Sequence, residues 1–221
     1  MKTPSFLFIV LSLLINTAFA DWTRFRGPNG SGIPEDGKAF PLKWSDTENL
    51  NWKTALPGPG SSSPIVVGDK IFVTCWSGYG TDESRNADME DLKRHLVCIA
   101  RTSGKILWNQ TVKAKMPEER YGGMFTQHGY ATHTPVSDGK NVYAYFGKSG
   151  LHAFGLNGKK LWEANAGNNL DRRGWGSASS PIVYQDKIIV TASVEDEAVY
   201  AFDTKTGSQL WRSPAAGLAS T

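Results

Sequence analysis

The sequence predicts an all-β protein: a β-propeller of four-stranded antiparallel blades, with about three blades plus a closing outer strand, and so an incomplete ring. Three observations predict it. A phrase is written three times, as "CIARTSGKILW" (98–108), "AFGLNGKKLW" (153–162) and "AFDTKTGSQLW" (201–211). The tryptophans that end it, Trp108, Trp162 and Trp211, stand 54 and 49 residues apart, which is the length of one propeller blade. Upstream of each, "SSSPIVVGDKIFVTCW" (61–76), "THTPVSDGKNVYAYFG" (132–147) and "SSPIVYQDKIIVTASV" (179–194) share a Ser/Thr-rich start at a proline, a turn and a β-branched run. Every unit therefore reads as four strands joined by turns.

In chain order, residues 1–20 come first. They carry Lys2, an apolar run from Phe6 to Ile15, and small residues at Ala18 and Ala20, the layout of a signal peptide cleaved after Ala20. The run is short for a membrane span, and no cysteine near the junction offers a lipid-attachment site. An exported chain with no transmembrane segment after cleavage is expected, periplasmic or extracellular. The formal net charge of +3 falls by one when Lys2 is removed. A balance so near neutral gives no electrostatic footprint for nucleic acid.

Residues 21–60 read as an N-terminal segment whose "NLNWKTAL" places Trp52 where a blade would end, a closing outer strand without inner strands of its own. The blades follow at about 61–112, 131–167 and 177–215. In "DTKTG", Asp203 can accept from amides ahead of it, and Gly207 can take the left-handed conformation that closes a short bulged hairpin. Gly104 and Gly158 hold the same place. The tryptophan four residues on can lie between neighbouring blades and donate its indole N–H to a carbonyl. Trp52, Trp108, Trp162 and Trp211 are thus expected to act as blade joints, partnered by Gly104, Gly158 and Gly207. The segment "GLAST" (217–221) parallels "GSASSP" (176–181), which leads into an inner strand, so a further blade is expected beyond it.

These repeats resemble those of the pyrroloquinoline quinone (PQQ) propeller superfamily, whose blades carry Ala-x-Asp-x-x-Thr-Gly-Lys-x-x-Trp. Residues 201–211 match nearly throughout, with Ser208 in the Lys position; 98–108 keep Gly104, Lys105 and Trp108 but have Cys98 for Ala and Ala100 for Asp; 153–162 are one residue shorter, with Gly155 for Asp. "DWTRFRGPNGSG" (21–32) is similar to the opening of many exported members. The resemblance covers essentially the whole mature chain. It implies a ring of seven or eight blades.

Two long insertions, Ser77–Arg94 and Lys113–Tyr130, fall on one face of such a scaffold, where binding residues are usually placed. The second carries Tyr121, Gln127 and His128, with His133 just beyond it, and the matching loop of the next blade carries Arg172, Arg173 and Trp175. His128, His133, Arg172, Arg173 and Trp175 are the candidates for holding an anionic or planar ligand, by Arg pairing with carboxylates and Trp stacking. The alternative is a solvated rim. His128 and His133 lack a third ligand at metal-site spacing. The acidic run Asp82, Glu83, Asp88, Glu90 and Asp91 lacks the alternation and central glycine of an EF-hand. Cys75 and Cys98 fit no CxxC or zinc spacing and are either a disulfide or two buried thiols. Matched to the third repeat they fall at Ala192 and Ala201, which would face each other if Asp196 and Glu197 made the hairpin turn.

No catalytic residue is identified. "GKS" at 147–149 has Val142 where a phosphate loop needs glycine, and GxSxG, HExxH, GxGxxG and CxxCH are absent. Two functions stand open: a non-catalytic platform that binds a protein partner or small ligand through the loop face, and, as the resemblance implies, a PQQ- and calcium-dependent dehydrogenase of alcohols or sugars. The adjacent cysteine pair of many alcohol-oxidising relatives is missing, and no calcium ligand or catalytic Asp matches a family motif. The platform is the favoured expectation.

Overall fold

The structure, a computed structural model, describes residues 21–34, 40–81, 86–120, 129–171 and 174–215. Among the described residues, twelve strands form three separate four-stranded antiparallel meanders. Blade 1 holds β1 (Ile65–Val67), β2 (Lys70–Ser77), β3 (Lys93–Ala100) and β4 (Ile106–Lys113). Blade 2 holds β5 (Val136–Ser137), β6 (Asn141–Tyr145), β7 (Leu151–Gly155) and β8 (Lys160–Ala164). Blade 3 holds β9 (Ile182–Tyr184), β10 (Lys187–Ala192), β11 (Ala198–Asp203) and β12 (Gln209–Pro214).

Period-two patterning sets which side chains face the next blade. The register aligns one row per blade: Ile65–Phe72–Cys98–Trp108, Val136–Tyr143–Ala153–Trp162 and Ile182–Ile189–Ala201–Trp211. Rows one and two build the interblade cores. The first row meets Val142, Ala144, Phe146 and Phe154 of blade 2. The second meets Ile188, Val190, Ala198 and Phe202 of blade 3. Among the described residues no hydrophobic cluster joins blade 1 to blade 3, so the blades form an arc.

Each third-to-fourth-strand hairpin carries a register shift just after its row residue, at Cys98/Ile99, Ala153/Phe154 and Ala201/Phe202. In the last, Asp203 Oδ1 accepts from the amides of Lys205 and Thr206 (3.0 and 2.7 Å), and Gly207 takes φ +72°. Onto these turns the preceding tryptophans pack. Trp52 Nε1 donates to Arg101 O (2.9 Å), Trp108 Nε1 to Leu156 O (3.1 Å) and Trp162 Nε1 to Thr204 O (3.1 Å). A Cβ at Gly104, Gly158 or Gly207 would stand 2.6, 3.0 or 2.5 Å from the ring of Trp52, Trp108 or Trp162. A side chain there would push the blades apart.

Trp52 packs on blade 1, and residues 50–56 pair with no sheet among the described residues. The structure decides between the two alternatives for the cysteines. Cys75 and Cys98 are both free and buried. Cys75 stands opposite His95 and Cys98 opposite Phe72, three residues apart on β2, so the two thiols point to opposite faces of the sheet. The matching hairpin shows why: the β10–β11 turn spans 193–197 and pairs Ala192 with Ala198, while Ala201 pairs with Ile189. Burial pushes the Cys75 thiol up to about 11 and the Cys98 thiol up to about 12.

The opening segment is pinned to the inner strands. Trp22 forms an antiparallel bridge to Val66, Asp21 Oδ1 accepts from Gly68 N (2.7 Å), and Ser137 N donates to Thr23 O (2.9 Å). It thereby ties blade 1 to blade 2. Among the described residues no helix is long and apolar enough to cross a membrane.

A buried polar cluster on the loop face

The β2–β3 type loops and the interblade loops emerge on the same face, and there the three blades meet in a polar cluster rather than an apolar one. Its centre is Arg94, at the start of β3 and 4% exposed. Its guanidinium donates from Nη2 to Glu118 Oε2 (2.6 Å), from Nε to Tyr130 O (2.9 Å) and from Nη1 to Ser149 Oγ (2.9 Å), and it lies 5.8 Å from the centre of the Tyr130 ring. One cation thus ties the first interblade loop to the β6–β7 turn. Removing a partner of such a buried pair costs about 3–5 kcal/mol, because the other charge stays buried alone.

Around this pair stand more buried titratable groups. His133 Nε2 and Ser177 Oγ are 3.0 Å apart, and the His133 ring meets Tyr145 edge-on at 4.9 Å. Burial holds the imidazole at about 3, with the Arg94 charge pushing the same way, so it is neutral at pH 7. Glu119 Oε1 accepts from Asp171 N (2.6 Å), and burial raises its carboxyl above the usual range. Asp171 Oδ2 in turn accepts from Trp175 N and Gly176 N (2.7 and 3.0 Å). Burial also raises the Glu195 carboxyl and lowers the Lys148 ammonium. Glu195 Oε2 and the Tyr145 hydroxyl are buried neighbours, and neither atom makes a hydrogen bond of good geometry among the described residues. Gly147, at φ +56°, lets the Glu195 carboxylate approach; a Cβ there would lie 2.7 Å from Oε1.

These groups line a cavity of about 20 Å³ bounded by Arg94, Glu118, Glu119, His133, Lys148 and Glu195. That is room for about one water molecule. Outside it lies an open groove along Asp88, Met89, Glu90, Met116, Pro117 and Arg120. Among the described residues no group of three or more His, Cys, Asp and Glu is arranged to hold a metal ion.

Of the residues singled out in the sequence, His128, Arg172 and Arg173 lie outside the described residues, as do Tyr121 and Gln127. His133 is buried within the cluster and lines its cavity. Trp175 is on the loop face and 44% exposed. Arg94, Glu118, Lys148, Ser177 and Glu195 were not anticipated. A signal existed in "KRHLVCIA", where a charge interrupts an apolar strand.

The three meanders and their tryptophan joints define a β-propeller of PQQ-like repeats. The family model described as outer membrane protein assembly factor BamB matches residues 92–220, more than half of the chain, and the protein belongs to this PQQ-like repeat family. Among solved structures, the quinohemoprotein alcohol dehydrogenase ADHIIG of Pseudomonas putida HK5 is 15% identical, with a TM-score of 0.45 over 72% of this chain and 21% of that one. The quinohemoprotein alcohol dehydrogenase of Comamonas testosteroni is 19% identical, with a TM-score of 0.48 over 74% of this chain and 22% of that one. BamB of Moraxella catarrhalis is 12% identical, with a TM-score of 0.38 over 73% of this chain and 48% of that one. The chain therefore spans less than half the length of each. No curated protein sequence matches it.

Proposed function

We propose that this protein is an exported, non-catalytic platform that docks a protein partner on its long-loop face. The observation that carries the reading is the closed polar cluster: a cavity of about 20 Å³, bounded by three carboxylates, under a face that displays apolar side chains. Met116, Leu170 and Trp175 are 38%, 40% and 44% exposed on the loops around it. Such side chains on loops at one face of a sheet scaffold suit contact with another polypeptide. The description of the matching family, an assembly factor for outer membrane proteins, supports a partner of that kind. The signal-like residues 1–20 support export.

The dehydrogenase reading fares less well on the described residues. The cluster of described residues offers a cavity of only about 20 Å³, lined by Glu118, Glu119 and Glu195 as well as Arg94 and Lys148, which does not favour a three-ring quinone there. Glu118 is already committed to Arg94, and Glu119 to the Asp171 amide. Neither is arranged as a calcium ligand.

Two titrations test the proposal together. The folded protein is titrated with PQQ and calcium, followed by absorbance and thermal shift, and separately with a denatured outer-membrane β-barrel polypeptide, followed by Trp fluorescence. The platform reading expects no saturable quinone binding and a polypeptide affinity that Trp175→Ala lowers by about 1–2 kcal/mol, as for an interface aromatic. Saturable PQQ binding with a raised Tm, or no polypeptide binding, would overturn it.

A further inference from the structure

The face opposite the long loops is built from short hairpin turns, two per blade. The turn between the first two strands of a blade spans 68–69, 138–140 or 185–186, and the turn between the last two spans 101–105, 156–159 or 204–208. In blades 1 and 3 the two turns are bonded to each other: Arg101 N donates to Asp69 O and Thr204 N to Asp186 O, both at 2.9 Å. Neighbouring blades are bonded there too, through the Trp108 and Trp162 indoles to Leu156 O and Thr204 O. No turn exceeds five residues, so their side chains emerge at one level with no loop rising above it.

The charge at that level is one-sided. Lys105, Lys140, Lys159 and Lys205 are exposed, and among the described residues none of the four makes an ion pair. The acids beside them are engaged locally. Asp69 pairs with Lys70 (2.6 Å) and Asp186 with Lys187. Asp138 accepts from the amides of Lys140 and Asn141, and Asp203 from those of Lys205 and Thr206. Across these turns and the residues flanking them, Lys and Arg outnumber Asp and Glu two to one, whereas the whole chain carries 24 against 21. The near balance of the sequence thus hides a segregation between faces. None of the exposed large apolar side chains lies in these turns. A protein interface is centred on buried aromatic and apolar groups. An anionic lipid surface needs only charges held at one level, and lysine, a point charge without arginine's directional fork, suits it.

We propose that the turn face rests on an anionic lipid surface, held by Lys105, Lys140, Lys159 and Lys205, and so turns the loop face away from the membrane. Each lysine close to such a surface favours the bound state about fivefold, so the four together favour it by about 600-fold. That suits a reversible, salt-sensitive association with no apolar insertion. Blades added to either end of the arc leave these turns exposed, because a neighbouring blade covers a lateral face and not the turn face. Lipid contact here and polypeptide docking on the loop face use opposite sides of the molecule, and neither requires the other.

Co-sedimentation of the folded chain with vesicles tests this, one set of phosphatidylcholine alone and one of equal parts phosphatidylcholine and phosphatidylglycerol. The protein is expected to pellet with the anionic vesicles only. It should be released as ionic strength rises from about 0.05 to 0.5 M, where screening shrinks to a few ångströms. Lys105→Gln, Lys159→Gln and Lys205→Gln should each lower the partition coefficient about fivefold, and the triple variant about a hundredfold. All three side chains are exposed, so Tm should not move. Lys113→Gln, at the loop-face end of β4, should leave the partition unchanged. The proposal is overturned by equal binding to neutral vesicles, by no pelleting with anionic vesicles at low salt, or by a triple variant that pellets like the wild type. A Lys113→Gln loss as large as that of Lys105→Gln would overturn it too. So would binding of duplex DNA without vesicle binding, which would assign the face to another polyanion.

Discussion

Blade 1 and blade 3 each turn one lateral face away from blade 2, and the two faces meet different fates. On blade 1, Trp52 and Leu56 lie over Cys75, Val97 and Ile99, and all three of those side chains are buried. On blade 3, the row Ile182–Ile189–Ala201–Trp211 has no covering segment among the described residues, and Tyr184 beside it is 59% exposed. The strands are equally regular in both. The difference teaches that a blade's hydrogen-bonded ladder forms from its own sequence, whereas the burial of its outer face is supplied by whatever segment brings the next tryptophan. Fold and cover are separable here.

The sharpest way to break that comparison is to truncate a filled and an unfilled joint. Trp108→Ala should cost about 3–5 kcal/mol, since its ring packs between Phe72 and Phe154 and its indole is bonded. Trp211→Ala should cost about 1 kcal/mol or less, because among the described residues no next blade packs on its ring, which is 39% exposed. Equal losses in urea unfolding would mean that the joint is not what holds neighbouring blades.

The covered interior also titrates differently from an open surface. His133 is neutral when folded, at about 3, against an ordinary 6.5. A depressed folded-state value favours the folded protein above pH 6.5, and that contribution is lost as pH falls from 6.5 through about 3. At pH 4 the loss approaches about 3 kcal/mol from this residue, opposed in sign by the raised carboxyls of Glu119 and Glu195. His133→Asn should therefore flatten the acid limb of the stability profile between pH 6.5 and 4. An unchanged slope would remove His133 from the buried network.

Glycine substitutions sharpen the picture further, by separating backbone strain from blade contact. Gly139 and Gly207 both have positive φ, but a Cβ at Gly139 meets nothing within 4 Å, whereas one at Gly207 meets the Trp162 ring. Gly139→Ala should cost about 1 kcal/mol from strain alone, and Gly207→Ala a further 1–3 kcal/mol, roughly, from overpacking. The smallest contrast is polar: Thr54→Val should lose about 1 kcal/mol with its bond to Gly104 O, and Ser213→Ala close to nothing in the monomer. Thermal melts at low protein concentration read both pairs.

The blade plan is legible because the repeat states it three times and the period-two rows follow from strand geometry. The thiol pairing is not, because facing positions depend on the length of the intervening turn: the turn at 193–197 sets Ala192 against Ala198, and the equivalent residues on blade 1 leave Cys75 and Cys98 on opposite faces. The loop-face cluster is the least legible part. Arg94 meets Glu118 24 residues further along, with most of β3 and all of β4 between them, and Lys148 in "GKS" reads as a surface lysine until the fold buries it. Local patterning carries no information about which distant charge will neutralise a buried one.

Hydrogen exchange of the four blade-end indole N–H groups, measured where the chain is monomeric, tests most directly whether joints, rather than sheets, decide what is covered. Trp52, Trp108 and Trp162 should exchange slowly, each bonded to a carbonyl of the following blade, and Trp211 at close to the rate of free indole. A Trp108 indole that exchanges as fast as Trp211 would contradict the account.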